Sequence, residues 1–477
     1  MGVARRIFRM DNATPEGEHK IKNTAAIWLI ALIGMGVHCA PGAEVALQAA
    51  GGLTGVSHNP VMVQTPPSTP AGEDWRYGLG WPFQISPTQA AICANIHRVS
   101  AKSWDYEMGT DVILFDDPKR IVADGAVAVS RNHPERHPRL GTMVTMVKYP
   151  LVGGFIPLGA KQTDGAPHPH AGTGFGICYC LANDVDEAAL RGERSHTYTL
   201  TGTNLHAYFE VSQLSFDGRQ FHAGAPERAA SGDLVPGTKF TNLGLGGGIV
   251  DGNDILLPMA AGWQSGITRW RHGERGWRPN AFTPIQLSTE AGEASVIRDV
   301  DGSLLGTARP GSTNYNNVLV LRTRDGGASW ETIILAPNLR QPSPVGLLQA
   351  ADGTPYIVCN QSLGGFINCA GNIAWGQFRE ILCLWPLNGD RTQLLSPFFA
   401  CVPRYDYGPP QHGNEWYVDH PVGATLRMAD GQWHHLLCYR IMAIAEGMGK
   451  GFPPTPHSGL HIREVFSAGP VRPAWSF

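Results

Sequence analysis

From Trp75 onward, apolar and polar residues alternate in short runs and seldom recur at helical spacing, the pattern of strands with one face buried. Four units show it best: GGIVDGNDILLPMAAG, SVIRDVDGSLLGTAR, GLLQAADGTPYIVCN and ATLRMADGQWHHLLCYR. Each reads as a strand, an Asp-Gly turn and a second strand, because Asp-Gly accepts the positive φ angles of a tight hairpin while its flanks bury alternate side chains. The turns fall at Asp251, Asp301, Asp352 and Asp430. The first three therefore recur at about 50 residues, the length of a four-stranded propeller blade. Further Asp-Gly pairs at Asp124, Asp164, Asp217 and Asp325 supply other hairpins. The expected fold class is all-β, a β-propeller of six blades, with seven as the alternative count.

Composition supports a turn-rich globular body: among 477 residues there are 58 glycines and 36 prolines, and only 16% are charged. A formal net charge of -3 gives no cationic surface for a phosphate backbone, so nucleic acid is not an expected partner. Lys20 and Lys22 precede the apolar run Ala25 to Val37, which ends near Cys39-Ala40-Pro41-Gly42-Ala43. That run is shorter than the ~20 residues of a membrane span and reads as an export signal. Residues 1–43 are thus expected to be a signal peptide, 44–74 a Gly/Pro-rich linker and 75–477 the propeller domain. The expected location is secreted or periplasmic, with no membrane attachment once the signal is cleaved. Eight cysteines follow Cys39. An even number in an exported chain admits disulfides, and buried free thiols on strands are the alternative.

Thr323-Arg324-Asp325-Gly326-Gly327-Ala328-Ser329-Trp330 matches the Asp box, Ser/Thr-x-Asp-x-Gly-x-Ser/Thr-Trp, also called the bacterial neuraminidase repeat, and Ser215 to Phe221 is a looser echo. Gly292-Glu293-Ala294-Ser295 leads through Asp301-Gly302 to Arg309, a glutamate opening one strand and an arginine closing the next. Phe378-Arg379-Glu380 and Tyr417-Val418-Asp419-His420 follow in order. In these features the chain resembles the sialidase superfamily. The resemblance implies a sialidase-like propeller in which Tyr417 is the nucleophile, Glu293 its base, and Arg309 and Arg379 a clamp on a substrate carboxylate. The chemistry fits the residue types. A tyrosine, with a pKa near ~10, needs a carboxylate to take its proton, and a guanidinium binds a carboxylate through paired hydrogen bonds.

The N-terminal half departs from that family. It has no Arg-Ile-Pro-like motif for a first arginine, and Arg136-His137-Pro138-Arg139-Leu140 is a faint echo. Instead it carries Asp164-Gly165-Ala166-Pro167-His168-Pro169-His170-Ala171-Gly172. Three readings stand for this loop: metal ligation by His-x-His, for which spacing offers no third ligand; a structural loop; and a histidine exchanging a proton with a sugar. The last reading connects to polysaccharide lyases on related propellers, in which His170, Tyr417, His420 and the arginines would neutralise a uronate and remove its proton, His168 and His420 also contacting substrate. The leading expectation is an exo-acting glycoside hydrolase on a terminal acidic sugar. The uronate lyase and a non-catalytic glycan-binding propeller are the alternatives. The expected partner is an acidic oligosaccharide or polysaccharide, and no cofactor or metal is required.

Overall fold

The alternating runs become strands in the computed structural model, which describes residues 53–56, 61–63, 75–98, 107–123, 125–131, 133–136, 143–148, 152–182, 207–234, 242–244, 246–261, 264–285, 291–310, 317–337, 343–360, 366–367, 373–374, 382–395, 399–402, 415–444 and 459–467. Antiparallel pairing groups them into six blades, numbered here along the chain. Blade 1 consists of Trp75–Ser86, Gln89–Arg98, Glu107–Phe115 and Val127–Arg131. The innermost strand of blade 2 is split into Met143–Lys148 and Val152–Ile156, and both pieces pair with Thr173–Ala182. Ala207–Phe216 lies outside these. Blade 3 runs from Ile249–Asp251 through Asp254–Ala261 and Gln264–Gly273 to Gly276–Pro284. Blade 4 contains Ala291–Arg298, Leu304–Pro310, Asn317–Thr323 and Glu331–Pro337. Blade 5 contains Gly346–Gln349, Pro355–Asn360, Leu382–Pro386 and Phe399–Val402.

Blade 6 draws on both ends of the folded body. Glu415–Arg427, Trp433–Ile444 and Gly459–Ser467 supply three strands, and Leu53–Val56 and Val61–Met62 pair with the outer edge of Gly459–Ser467. The stretch 44–74, expected as a linker, thus contains the outermost strand segments of the last blade. Their composition hid them, because glycine and proline are tolerated on an edge strand that pairs on one side only. The innermost strands pack in chain order, and that of blade 6 packs against that of blade 1, so the propeller closes with six blades and the seven-blade alternative falls.

All four Asp-Gly units join the first and second strands of their blades. Their glycines take φ of +60° at Gly252, +84° at Gly302, +88° at Gly353 and +76° at Gly431, which explains why glycine follows the aspartate. The turns share one rim, called here the hairpin rim; the opposite rim is the mouth. At Thr323–Trp330, Asp325 accepts from the Ser329 amide at 2.9 Å and the Ser329 hydroxyl at 2.5 Å, and Trp330 Nε1 donates to the Gly327 carbonyl at 3.2 Å. These bonds hold the turn between the outer strands of blade 4.

Apolar clusters fill the seams between blades, as in the stacking of Phe175 in blade 2 on Trp270 in blade 3, with ring centroids 3.9 Å apart. Polar clasps fasten every seam near the hairpin rim. The Leu158 amide of blade 2 donates to the Ile85 carbonyl of blade 1 at 2.7 Å. His168 Nε2 of blade 2 meets the Gly252 carbonyl of blade 3 at 2.8 Å, and Arg298 of blade 4 donates to Asp251 of blade 3 at 2.8 Å. Arg391 of blade 5 grips the Asp299 carboxylate of blade 4 at 2.9 and 3.0 Å. The Ala351 amide of blade 5 donates to His435 Nε2 of blade 6 at 2.9 Å. Gln84 of blade 1 exchanges two bonds with the Arg427 backbone of blade 6, at 2.8 and 2.7 Å.

Cys93 and Cys438 are buried free thiols, and burial pushes both thiols up from the usual range. Among the described residues no helix is long and apolar enough to cross a membrane. The apolar run 25–37 lies outside them.

One clasp is sensitive to acid. Burial holds the pKa of His435 down at about 4, against an ordinary 6.5. The unfolded chain therefore takes this proton first as pH falls, and stability is lost between 6.5 and about 4. The loss amounts to about 3 kcal/mol. Urea unfolding of wild type and His435→Gln at pH 7.0, 5.5 and 4.5 is expected to show a smaller acid loss in the variant; parallel losses would remove His435 as the cause.

Candidate active site

Glu293 and Arg309 come together through a bulge. In blade 4 the register runs Gly292 opposite Arg309 and then Ala294 opposite Ala308, leaving Glu293 as the extra residue. Its φ of +38° is a left-handed conformation that non-glycine residues seldom adopt. The bulge turns the side chain out of the strand's alternation and sets Glu293 Oε2 2.5 Å from Arg309 Nη1. Both residues are largely buried, with side-chain exposures of 24% and 18%.

Blade 6 has a second such bulge, between Asp419, opposite Arg440, and Val422, opposite Cys438. It holds His420 and Pro421, and His420 has a φ of +51°. Pro421 has no amide hydrogen for the ladder, a local reason for the break. Asp419 is fully buried and accepts from Arg440 Nε at 2.9 Å and Nη2 at 3.0 Å. The His420 Nδ1 lies 3.0 Å from Asp419 Oδ1 and 3.2 Å from Arg440 Nη2. Blade 5 braces the bulge from the side: the His420 amide donates to Ser343 Oγ at 3.3 Å, and Asn360 Nδ2 donates to the Val418 carbonyl at 2.8 Å. The strands can approach so closely because Gly346 has no side chain; a Cβ there would lie 2.3 Å from the Pro421 carbonyl.

The two bulges face one another across the mouth. The Glu293 charge acts on the His420 ring, although the two residues belong to blades 4 and 6. Burial holds the His420 pKa below its ordinary value, and the Arg440 charge adds to this; Asp419 and Glu293 oppose it. The imidazole is therefore neutral at neutral pH.

One layer deeper the axis is plugged. Ser295 and Val422 each lie two positions beyond their bulge residue, about 7 Å along a strand. A Cβ on Gly246 would stand 3.7 Å from Ser295 Oγ and 3.8 Å from Val422 Cγ1, and one on Gly247 would collide with the Trp81 indole at 2.2 Å. Trp81 and Val422 share one apolar cluster. Side chains from blades 1, 4 and 6 thus meet the bare backbone of blade 3, which accounts for the run Gly246-Gly247-Gly248. The indole packs against this glycine run and shares its cluster with Val422, two positions beyond His420.

The other expected residues fall in three places. Tyr417 pairs with Met442 on the innermost strand of blade 6, three positions before His420 on the mouth side; its side chain lies outside the described residues, as does all of Arg379. His168 and His170 are not at the mouth. They belong to the connection between the first two strands of blade 2 and so lie at the hairpin rim. There His168 clasps Gly252, and the His170 ring stacks on His272 with centroids 4.2 Å apart and meets Trp277 edge-on. The reading of these two as the proton exchanger and substrate contact of the Glu293 site is corrected, and the structural-loop reading describes their contacts. The sequence reading left out Asp419 and Arg440, although a hairpin centred on Asp430 pairs them by simple counting.

The buried ion pair makes blade 6 testable. Asp419→Asn removes the carboxylate charge that accepts two bonds from the buried Arg440 guanidinium and is expected to cost about 3 kcal/mol, read as a lower urea midpoint. A change of only a few tenths would show that the pair does not brace the bulge.

No family model and no curated protein matches the sequence. Solved structures do match. A protein of unknown function from Dyadobacter fermentans aligns over 89% of this chain and 99% of its own at 14% identity, with a TM-score of 0.50. The NanB sialidase from Streptococcus pneumoniae aligns over 85% of this chain and 70% of its own at 9% identity, with a TM-score of 0.52. With six antiparallel blades, closed ring and these alignments taken together, the chain has the sialidase-like β-propeller fold.

Proposed function

We propose that the protein is a secreted, sialidase-like exo-glycosidase that hydrolyses a terminal acidic sugar at the mouth of the propeller. The observation that carries this reading is the meeting of two bulged, left-handed residues, Glu293 and His420, across the mouth. Backbone strain of this kind persists where surrounding structure enforces it and gathers at sites that hold a reacting group in place. Packing one layer below the two bulges favours the end of a glycan over an internal sugar.

In this reading Glu293 takes the proton of the Tyr417 hydroxyl and the phenolate attacks the anomeric carbon as the bond to the aglycone oxygen breaks; the aglycone leaves as an alcohol, its proton balanced by the one taken up by Glu293, while Arg309 and Arg379 receive the sugar carboxylate. A guanidinium carries five donors, so the Arg309 pairing with Glu293 through Nη1 is compatible with a second carboxylate partner. A uronate lyase is the second reading, favoured by the neutral imidazole of His420 at the mouth; with His170 at the other rim, His420 alone would remove the proton.

Incubation with sialyllactose and with uronate-containing polysaccharides separates the readings. Released sialic acid supports the hydrolase, and the ultraviolet absorbance of an unsaturated uronate end supports the lyase. Binding without turnover of either would leave a glycan-binding propeller. If hydrolysis is seen, Glu293→Gln is expected to lower kcat by about 100-fold or more, with an unchanged fold by circular dichroism; full activity in that variant would overturn the assignment.

A further inference from the structure

The bulge in blade 6 presents a histidine in a form that the roles of Glu293, Tyr417 and the arginines leave unused. Asp419 and Arg440 hold one side of the His420 ring. Nδ1 lies closer to the Asp419 Oδ1 acceptor, at 3.0 Å, than to the Arg440 Nη2 donor, at 3.2 Å, which favours the tautomer with its proton on Nδ1, donating to Asp419. Among the described residues Nε2 has no hydrogen-bond partner. The side chain keeps 13% of its exposure, whereas that of Asp419 beneath it keeps none. A ring clamped through one nitrogen and open at the other is the arrangement of a base oriented by a carboxylate. The enforced positive φ and the brace from Ser343 fix its direction.

We propose that His420 is the general base for the water that completes turnover, with Asp419 as its positioning residue. This rests on the hydrolase reading. Nε2 takes a proton from the water as its oxygen bonds to the anomeric carbon. The bond from that carbon to the leaving oxygen breaks, and the imidazolium then returns the proton to that oxygen. The charged groups facing the ring are Asp419 on its own strand, Arg440 on the next strand and Glu293 across the mouth. The two carboxylates stabilise the imidazolium, and Arg440 counteracts them.

His420→Asn is the informative variant, because asparagine tolerates left-handed backbone better than other non-glycine residues. Its kcat is expected to fall about 100-fold with KM falling alongside it and kcat/KM largely kept, because only the step after the covalent intermediate is slowed, and the acid limb of the kcat profile, set below pH 6.5 in the wild type, is expected to disappear. In His420→Ala, added imidazole is expected to restore part of the turnover, which a purely structural histidine would not allow. Retained kcat with an unchanged acid limb in His420→Asn would overturn the proposal.

A second measurement does not depend on turnover. Diethyl pyrocarbonate acylates unprotonated, accessible imidazole nitrogens, and peptide mapping of the wild type locates the sites. His420 is expected to react with a midpoint below pH 6.5 and to be protected by N-acetylneuraminic acid. An unreactive or unprotected His420 would overturn its place as an open base. A protected, reactive His420 in a protein that hydrolyses no acidic glycoside would instead overturn the hydrolase reading while keeping the base.

Discussion

Closure of the ring is the constraint on which everything else depends. A blade buries its two faces only against its neighbours, so a gap at any seam would expose apolar surface on both sides. The clasps satisfy this requirement at the hairpin rim, where short turns place polar groups within reach of the adjacent blade. They run from Leu158 and Ile85 around to Gln84 and Arg427. Because one rim carries the clasps, the other is left for strand ends to be shaped by bulges.

Those bulges do chemically what regular strands cannot. In an alternating strand a side chain points into one seam or the other, where it is buried among apolar neighbours. An extra residue at Glu293 or His420 escapes this choice and is directed by its own backbone torsions. The buried pair Asp419 and Arg440, the Ser343 hydroxyl and the Asn360 amide then hold the distortion. Blade 5 contributes here as a buttress.

What the sequence revealed follows the distance over which each feature is decided. The Asp-Gly hairpins and the pairing of Glu293 with Arg309 are local, settled within a few residues of a turn, and could be read directly. The Leu53–Val56 strand was hidden because its partner is Gly459–Ser467, and nothing in its own residues announces that pairing. The His168-Pro169-His170 loop misled for a different reason. Its residue types suit a site, but its position between the first and second strands of a blade assigns it to the clasped rim. The Asp419 to Arg440 pair was within reach of counting from Asp430, and the significance of its burial emerges only once blade 5 covers it.

The outer edge of blade 6 has a consequence for how the chain reaches its native state. Leu53–Val56 cannot find its place until Gly459–Ser467 exists. The outer edge of that blade therefore forms through contacts of very long sequence separation, the kind that fold slowly. Until blade 6 is complete, blade 1 is held by a neighbour on one side only. During synthesis the nascent body therefore remains an open arc with an uncovered apolar edge until its last strands emerge.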